Sequence, residues 1–458
     1  MTEPRLLFCA PRSGGGKTTL VCALLQALKN RGAAPAAFKC GPDYIDPMFH
    51  SEIIGTPSRN LDLFFLGEEK TRYLLKENSC EAGVSVIEGV MGYYDGIAMS
   101  SRASAYELAK CTQSPAVLVL DGRGCALSLA AQIKGFARFR DDSGIKGVVL
   151  SRISPMMYPR LRETIEAECG IRVYGFLPEC PEAALESRHL GLVTAAEVAG
   201  LREKMAALAD LCEKYVDIDG LLELASTAPV LDAEEPQLPA KLKAPVTIAV
   251  ARDRAFCFYY ADSLRLLERL GARLKWFSPL EDEALPEDAC GMYLGGGYPE
   301  LYAEKLGNNE KMRRSIGNAI RGGMPTVAEC GGFLYLHGSL EDKSGKAHPM
   351  AGVIPERAYK TDRLGRFGYV TLTAQNSGLL FEAGEEMPAH EFHYWDSTGP
   401  GADFNAKKPM SDRHWACAYQ TESLWAGFPH LHFWSSPEAA KRFINACAEY
   451  GRKQNGAE

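Results

Sequence analysis

No Cys-x-x-Cys pair occurs anywhere in the 458 residues, although fourteen cysteines are scattered along them. That spacing excludes a zinc site built from cysteine pairs. No apolar run approaches the roughly 18 residues of a membrane-spanning helix. Basic residues do not cluster and the formal net charge is −7, which argues against nucleic acid as a main partner. The first residues, Met1-Thr2-Glu3-Pro4-Arg5, run directly into an apolar stretch and lack the pattern of a secretory signal. The thiols are therefore expected to be reduced and the protein cytoplasmic, without a membrane partner.

What is present is an ordinary globular composition, 46% hydrophobic and 24% charged. The length suggests two to four domains, each able to bury a full core. Near the N-terminus a buried strand over 5–10 leads into Pro11-Arg12-Ser13-Gly14-Gly15-Gly16-Lys17-Thr18-Thr19. Leu20, Leu24, Leu25 and Leu28 then continue as an amphipathic helix to Gly32. Strand, glycine loop, Gly-Lys-Thr and helix make a phosphate cradle, or P-loop. In it, backbone N–H groups from Ser13, Gly14, Gly15, Gly16 and Thr19 wrap phosphates. Lys17 neutralises their charge, and the Thr18 hydroxyl is placed for Mg²⁺. The strict pattern has glycine six residues before the lysine; Pro11 stands there, which makes the loop a variant.

A second strand, 36–40, ends in Gly41-Pro42-Asp43-Tyr44-Ile45-Asp46-Pro47. Glycine and two prolines make this loop rigid at a strand's carboxyl end, the edge where open α/β sheets bind ligands. Its aspartates suit Mg²⁺ and an attacking or leaving group, or simply turn formation. A third strand, 84–87, delivers Glu88, an acid ending an apolar strand, which reads as a second Mg²⁺ ligand. Further strands over 116–121, 147–151 and 173–177 alternate with helical patterns, so this half reads as a doubly wound, mostly parallel sheet.

Residues 226–245 carry four prolines and little apolar period, and read as a linker. The expected domains are thus 1–225 and 246–458. In the second, Thr326-Val327-Ala328-Glu329 leads to Cys330-Gly331-Gly332 and an apolar helix start. This is a nucleophile elbow with cysteine as the nucleophile. The helix start is expected to favour thiolate. Upstream, Gly295-Gly296-Gly297 offers a second wall, so that the N–H groups of Gly297 and Gly331 would meet a developing oxyanion. The thiol must lose a proton and a departing ammonia must gain one, which one imidazole can do. Gly427-Phe428-Pro429-His430-Leu431-His432 supplies two histidines for that part.

Three stretches carry a resemblance: Phe38-Lys39-Cys40-Gly41-Pro42-Asp43-Tyr44-Ile45-Asp46-Pro47, Ile87-Glu88-Gly89-Val90-Met91-Gly92 and Arg188-His189-Leu190-Gly191-Leu192. They are similar to the hallmark stretches of cobyrinate a,c-diamide synthase, and the likeness runs through nearly all the chain. The resemblance implies an α/β protein of two doubly wound domains. The first is a dethiobiotin-synthetase-like ATP domain and the second a class I glutamine amidotransferase domain. It implies ATP and Mg²⁺, held at Thr18, Asp43 and Glu88, with cobyrinic acid and L-glutamine as substrates. Lys39, Tyr44, Asp46, Arg188 and His189 become the expected substrate contacts. Only His430 matches the histidine of the amidotransferase His-x-Glu pattern; His432 stands where the acid would be, so no third carboxylate is evident. The a and c acetate groups of cobyrinic acid would be amidated through acyl phosphates, in cobalamin biosynthesis.

Rival readings are the same chemistry on hydrogenobyrinic acid or nickel sirohydrochlorin, a cobyric acid synthase, and a P-loop ATPase switch with a degenerate tail. Cys330 and His430 speak against the last. The sequence leaves homo-oligomerisation open.

Overall fold

The structure, a computed structural model, describes residues 3–180, 195–454 and 456, with side chains undescribed at 195–199. Arg188 and His189 lie outside the described residues. The chain divides into two compact units, 1–236 and 237–458.

The first unit is built on seven parallel strands: β1 (Arg5–Cys9), β2 (Pro35–Cys40), β3 (Ser58–Leu61), β4 (Val84–Glu88), β5 (Ala116–Asp121), β6 (Ile145–Ser151) and β7 (Arg172–Leu177). Their spatial order is β3-β2-β4-β1-β5-β6-β7. β1, β4 and β5 are almost wholly buried, which suits a parallel sheet covered on both faces by helices. Helix α1 (Lys17–Asn30) turns Leu20, Leu24, Leu25 and Leu28 into the core, against Met205, Leu208 and Cys212 of the helix Ala195–Tyr215. β3 was not expected from the sequence. It is a short edge strand containing Ser58, Arg59 and Asn60, so it carries no apolar signature.

Residues 227–236 have no helix or strand but lie on this unit. The buried Arg5 guanidinium donates to the carbonyls of Thr112 and Pro229 at 2.8 and 2.7 Å.

The second unit holds a six-stranded sheet of β8 (Val246–Ala251), β9 (Ala272–Phe277), β10 (Gly291–Leu294), β11 (Thr326–Glu329), β12 (Tyr419–Gln420) and β13 (Leu424–Gly427). The order is β9-β8-β10-β11-β13-β12, parallel except for β12. To this doubly wound part the chain adds antiparallel and mixed sheets that the sequence left unassigned. One has five strands, with Arg366–Ala374 and Glu386–His393 near its centre and the two-residue strand His430–Leu431 at its edge. The chain therefore leaves the parallel sheet at Gly427 and joins the antiparallel one at His430, with only Phe428 and Pro429 between.

Gly332 sits where the backbone of the elbow meets β10. Its N–H donates to Gly295 O at 2.9 Å, and a Cβ added there would lie 2.1 Å from Leu294 O. Backbone cannot retreat as a side-chain tip can. We predict that Gly332→Ala lowers stability by about 1–3 kcal/mol, read as a shift of the urea midpoint. A midpoint unchanged from the parent would refute this packing constraint.

Candidate active sites

In the first unit the ends of β1, β2 and β4 are neighbours, and register does the positioning. Phe8 and Lys39 are both paired with Glu88. After β1 the glycine loop is held from β6: Ser151 Oγ donates to Gly15 O at 3.1 Å, and Arg152 donates to Gly14 O at 2.6 Å. Gly14 and Gly16 have φ of 75° and 91°, a region that favours glycine. Ser13 and Gly14 are exposed, Gly15 and Lys17 buried, and Thr18 and Thr19 half-buried in the first turn of α1. Lys17 Nζ donates to Met91 O at 3.3 Å.

Below the loop lies a cluster of charges. The Thr18 hydroxyl donates to Glu88 Oε1 at 2.6 Å, and Lys39 Nζ reaches the same oxygen at 3.0 Å. Lys39 also pairs closely with Asp46 and lies 3.8 Å from Asp43. Asp43 Oδ1 accepts from the N–H groups of Ile45 and Asp46, so it forms a turn as well as facing the cation. Tyr44 is buried at the start of the helix Ile45–Met48. Asn60 of β3 fixes this loop by donating to Gly41 O and Asp43 O.

Glu88 is fully buried, and its Oε2 has no hydrogen-bond partner among the described residues. Burial, then Asp46, raises its pKa. Lys39 shows the opposite balance: burial disfavours its charge, yet Glu88, Asp46 and Asp43 outweigh burial and hold it protonated. Asp43 is raised to about 6, by burial first and then by Asp46. His50, which sequence reasoning missed, lies 3.6 Å from Glu88, and burial pushes it down to about 4.

No group of three or more His, Cys, Asp or Glu that could hold a metal ion occurs among the described residues. Oxygen donors on Thr18, Asp43 and Glu88 still fit Mg²⁺, which keeps waters and takes phosphate oxygens as ligands.

In the second unit Cys330 caps the short helix Gly331–Tyr335 with φ 45° and ψ −97°, a strained turn for a residue with a side chain. The turn is held by Cys330 N–H donating to Gly427 O at 2.8 Å. A Cβ built on Gly331 would lie 3.0 Å from Gly297 N, so the two glycine backbones meet. Gly297 itself has φ 153°, and a Cβ there would strike Ala255 O. His430 borders the same loop; a Cβ on Gly296 would lie 2.5 Å from its Cε1. His432 points elsewhere, its ring packed on Tyr260 at 4.7 Å between centroids.

The thiolate expected from the helix start is not the resting form. Burial raises the Cys330 pKa well above its ordinary value, and Glu300 and Glu329 add to the rise. A five-residue helix has too little dipole to offset that. Burial also pushes His430 down to about 3, so the imidazole is neutral and able to accept a proton. Carboxyl groups crowd this site, and none of them was assigned a part in its chemistry from the sequence. Glu300 is raised to about 7 by burial. Glu391 is fully buried beside His393, whose ring stacks on Phe428 at 3.8 Å. Glu329 Oε2 lies 3.8 Å from His430 Nδ1, and burial pushes Glu329 up to about 8. Its signal was available, since it is an acid ending an apolar strand, as Glu88 is.

Comparison with known proteins gives each unit a family. Residues 6–193 match a CobQ/CobB/MinD/ParA nucleotide binding domain, and residues 247–438 a CobB/CobQ-like glutamine amidotransferase domain. A curated cobyrinate a,c-diamide synthase of Caldanaerobacter subterraneus subsp. tengcongensis is 40% identical over 98% of this chain and 99% of its own. The chain belongs to the cobyrinate a,c-diamide synthase family.

Enzymes of that name from Thermoplasma volcanium and Salmonella typhimurium are 38% and 39% identical, covering 99% and 95% of this chain and 99% and 96% of theirs. Among solved structures, PurLQS from Thermotoga maritima aligns with a TM-score of 0.33 at 16% identity, over 45% of this chain and 99% of its own. Membership makes the protein an amide-forming ligase with a glutamine amidotransferase domain. No helix among the described residues is long and apolar enough to cross a membrane.

Lys39 generates a prediction of its own. Lys39→Met leaves Glu88 and Asp46 buried without the cation between them, at an expected cost of about 3–5 kcal/mol near neutral pH. A carboxyl raised by burial binds its proton more tightly folded than unfolded, so stability is lost as pH rises through that window. The penalty of Lys39→Met should therefore be smaller at pH 5 than at pH 8 in urea unfolding. An equal penalty at both would mean that the cluster is not electrostatically coupled.

Proposed function

We propose that this enzyme amidates the a and c acetate carboxylates of cobyrinic acid, using ATP and glutamine. The observation that carries the proposal is the pairing, within one chain, of a phosphate cradle over a buried Lys-Asp-Glu cluster with a cysteine elbow flanked by a neutral histidine. Near full-length similarity to curated enzymes of that name supports the substrate.

At the elbow, Cys330 loses its proton to His430 and attacks the side-chain amide carbon of glutamine. The C–S bond forms and the carbonyl pair moves onto oxygen, where the N–H groups of Gly297 and Gly331 receive it. As the oxyanion collapses, the C–N bond breaks and nitrogen takes its pair and the proton on His430, leaving as ammonia. Water then hydrolyses the glutamyl thioester to glutamate.

In the first unit, a substrate carboxylate oxygen attacks the γ-phosphorus of ATP and ADP departs. The cradle residues from Ser13 to Thr19 hold the phosphates, and Lys17 offsets charge in the transfer. Thr18, Asp43 and Glu88 would hold Mg²⁺, which supplies charge neutralisation to the phosphates. Lys39, Tyr44 and Asp46, with Arg188 and His189 beyond the described residues, would contact the polycarboxylate. Ammonia attacks the acyl phosphate carbon, phosphate leaves with the C–O pair, and nitrogen sheds a proton to give the amide.

Two variants test the division of labour. Cys330→Ala should lose glutamine-dependent amidation and keep amidation from ammonium at high pH. Lys17→Ala should lose amidation with both nitrogen sources while hydrolysing glutamine. Mass spectrometry of cobyrinic acid and hydrogenobyrinic acid incubations counts the amide steps. Two steps on cobyrinic acid are expected; none on cobyrinic acid with two on hydrogenobyrinic acid would reassign the substrate. Ammonium failing to rescue Cys330→Ala would refute the two-site scheme.

A further inference from the structure

The histidine two residues past His430 stands where the amidotransferase pattern places an acid, and its ring packs against Tyr260. The carboxyl groups around the elbow come from elsewhere in the chain, and one of them lies within ion-pair distance of His430. Glu329 ends β11 immediately before the nucleophile and is 1% exposed. Its Oε1 accepts from Leu431 N–H at 3.1 Å, and the buried Tyr293 acts on the same carboxyl, opposing the rise that burial causes. So anchored, it directs Oε2 toward His430 Nδ1, 3.8 Å away. One carboxyl thus addresses both the backbone and the ring of the dipeptide His430-Leu431.

We propose that Glu329 is the positioning residue for His430, replacing the absent acid of the His-x-Glu pattern from the nucleophile's own strand. The inference rests on the glutaminase reading above. By accepting from Nδ1–H, Glu329 leaves the lone pair on Nε2, the nitrogen that takes the Cys330 proton. During that transfer the S–H bond breaks, its pair stays on sulfur as the nucleophile, and the proton makes the ring an imidazolium. The carboxylate then faces a full positive charge, and the ion-pair distance closes to a hydrogen bond, as catalytic contacts do on passing from the free enzyme. When the proton moves to the departing nitrogen, the ring returns to the same tautomer. Burial sets the ionisation of Glu329 at about 8, so the accepting carboxylate form is reached in an ordinary assay range. Gly296 completes the fit: with no side chain, it lets the Cε1 edge of the ring lie against the loop.

Glu329→Gln is the informative variant, because it keeps the size and the acceptor for Leu431 N–H but turns a donor toward Nδ1. We expect glutaminase kcat to fall on the order of 10²-fold, within the range for a misdirected general base. KM for glutamine should stay near the parental value, and ammonium-dependent amidation should be unchanged. In the His430→Asn background the same substitution should add little further loss, since it acts through that ring. Parental kcat in Glu329→Gln overturns the proposal. So does full additivity with His430→Asn, or an equal loss of ammonium-dependent amidation, either of which assigns Glu329 to the fold alone. Glutaminase absent from the parent enzyme would instead strike the reading on which the inference rests.

Discussion

Each unit drives a carboxyl group into the end of an apolar parallel strand, and the cost of burying that charge governs what surrounds it. Glu88 is answered by a cation: Lys39 reaches it from the neighbouring strand, and Thr18 adds a hydroxyl. Glu329 is answered by a hydrogen bond from Leu431 N–H, with a histidine rather than a lysine nearby. The same position in two similar sheets is therefore balanced in two different ways. A carboxyl beside a fixed ammonium suits a site that manages phosphate charge. A carboxyl beside neutral groups suits a site through which a proton passes.

Much of this was legible in the sequence because glycine, lysine and cysteine sit at turns whose flanks are unambiguous. The strand before Gly14 and the helix after Lys17 admit one arrangement, as do the strand before Cys330 and the glycines after it. What escaped reading escaped for physical reasons. β3 is short, polar and at an edge, so no alternation marks it. The antiparallel sheet bearing His430 depends on pairings between residues far apart in sequence, such as His390 with His430. Glu391 reaches the elbow only through that antiparallel sheet, and Glu300 through the short helix after Gly297. Glu329 was in plain view, but an acid next to the elbow cysteine reads as part of the motif rather than as a separate group. The thiolate expectation failed because the helix behind Cys330 has only five residues, while burial acts at full strength.

The charge balance in the first unit also bears on order of binding. Lys39 already serves Glu88 and Asp46, so it is not an idle cation waiting for substrate. A metal ion or a substrate carboxylate entering there rearranges an existing set of pairs. Its affinity is then a difference between two ion-pair arrangements, and not the strength of one new contact.

The crossing at Phe428 and Pro429 has a consequence for how this half can evolve. Cys330 follows a strand of one sheet and His430 lies in another, and the two residues between Gly427 and His430 act as a gauge block that sets their spacing. Along a strand, side chains alternate faces, so a chain longer or shorter by one residue there would put Pro429 or Leu431, respectively, where the imidazole stands. Insertions elsewhere in 357–420 lengthen loops and leave that spacing alone. Relatives that keep glutaminase chemistry should therefore vary freely in the antiparallel loops, while the two-residue step stays fixed in length even where its residues change.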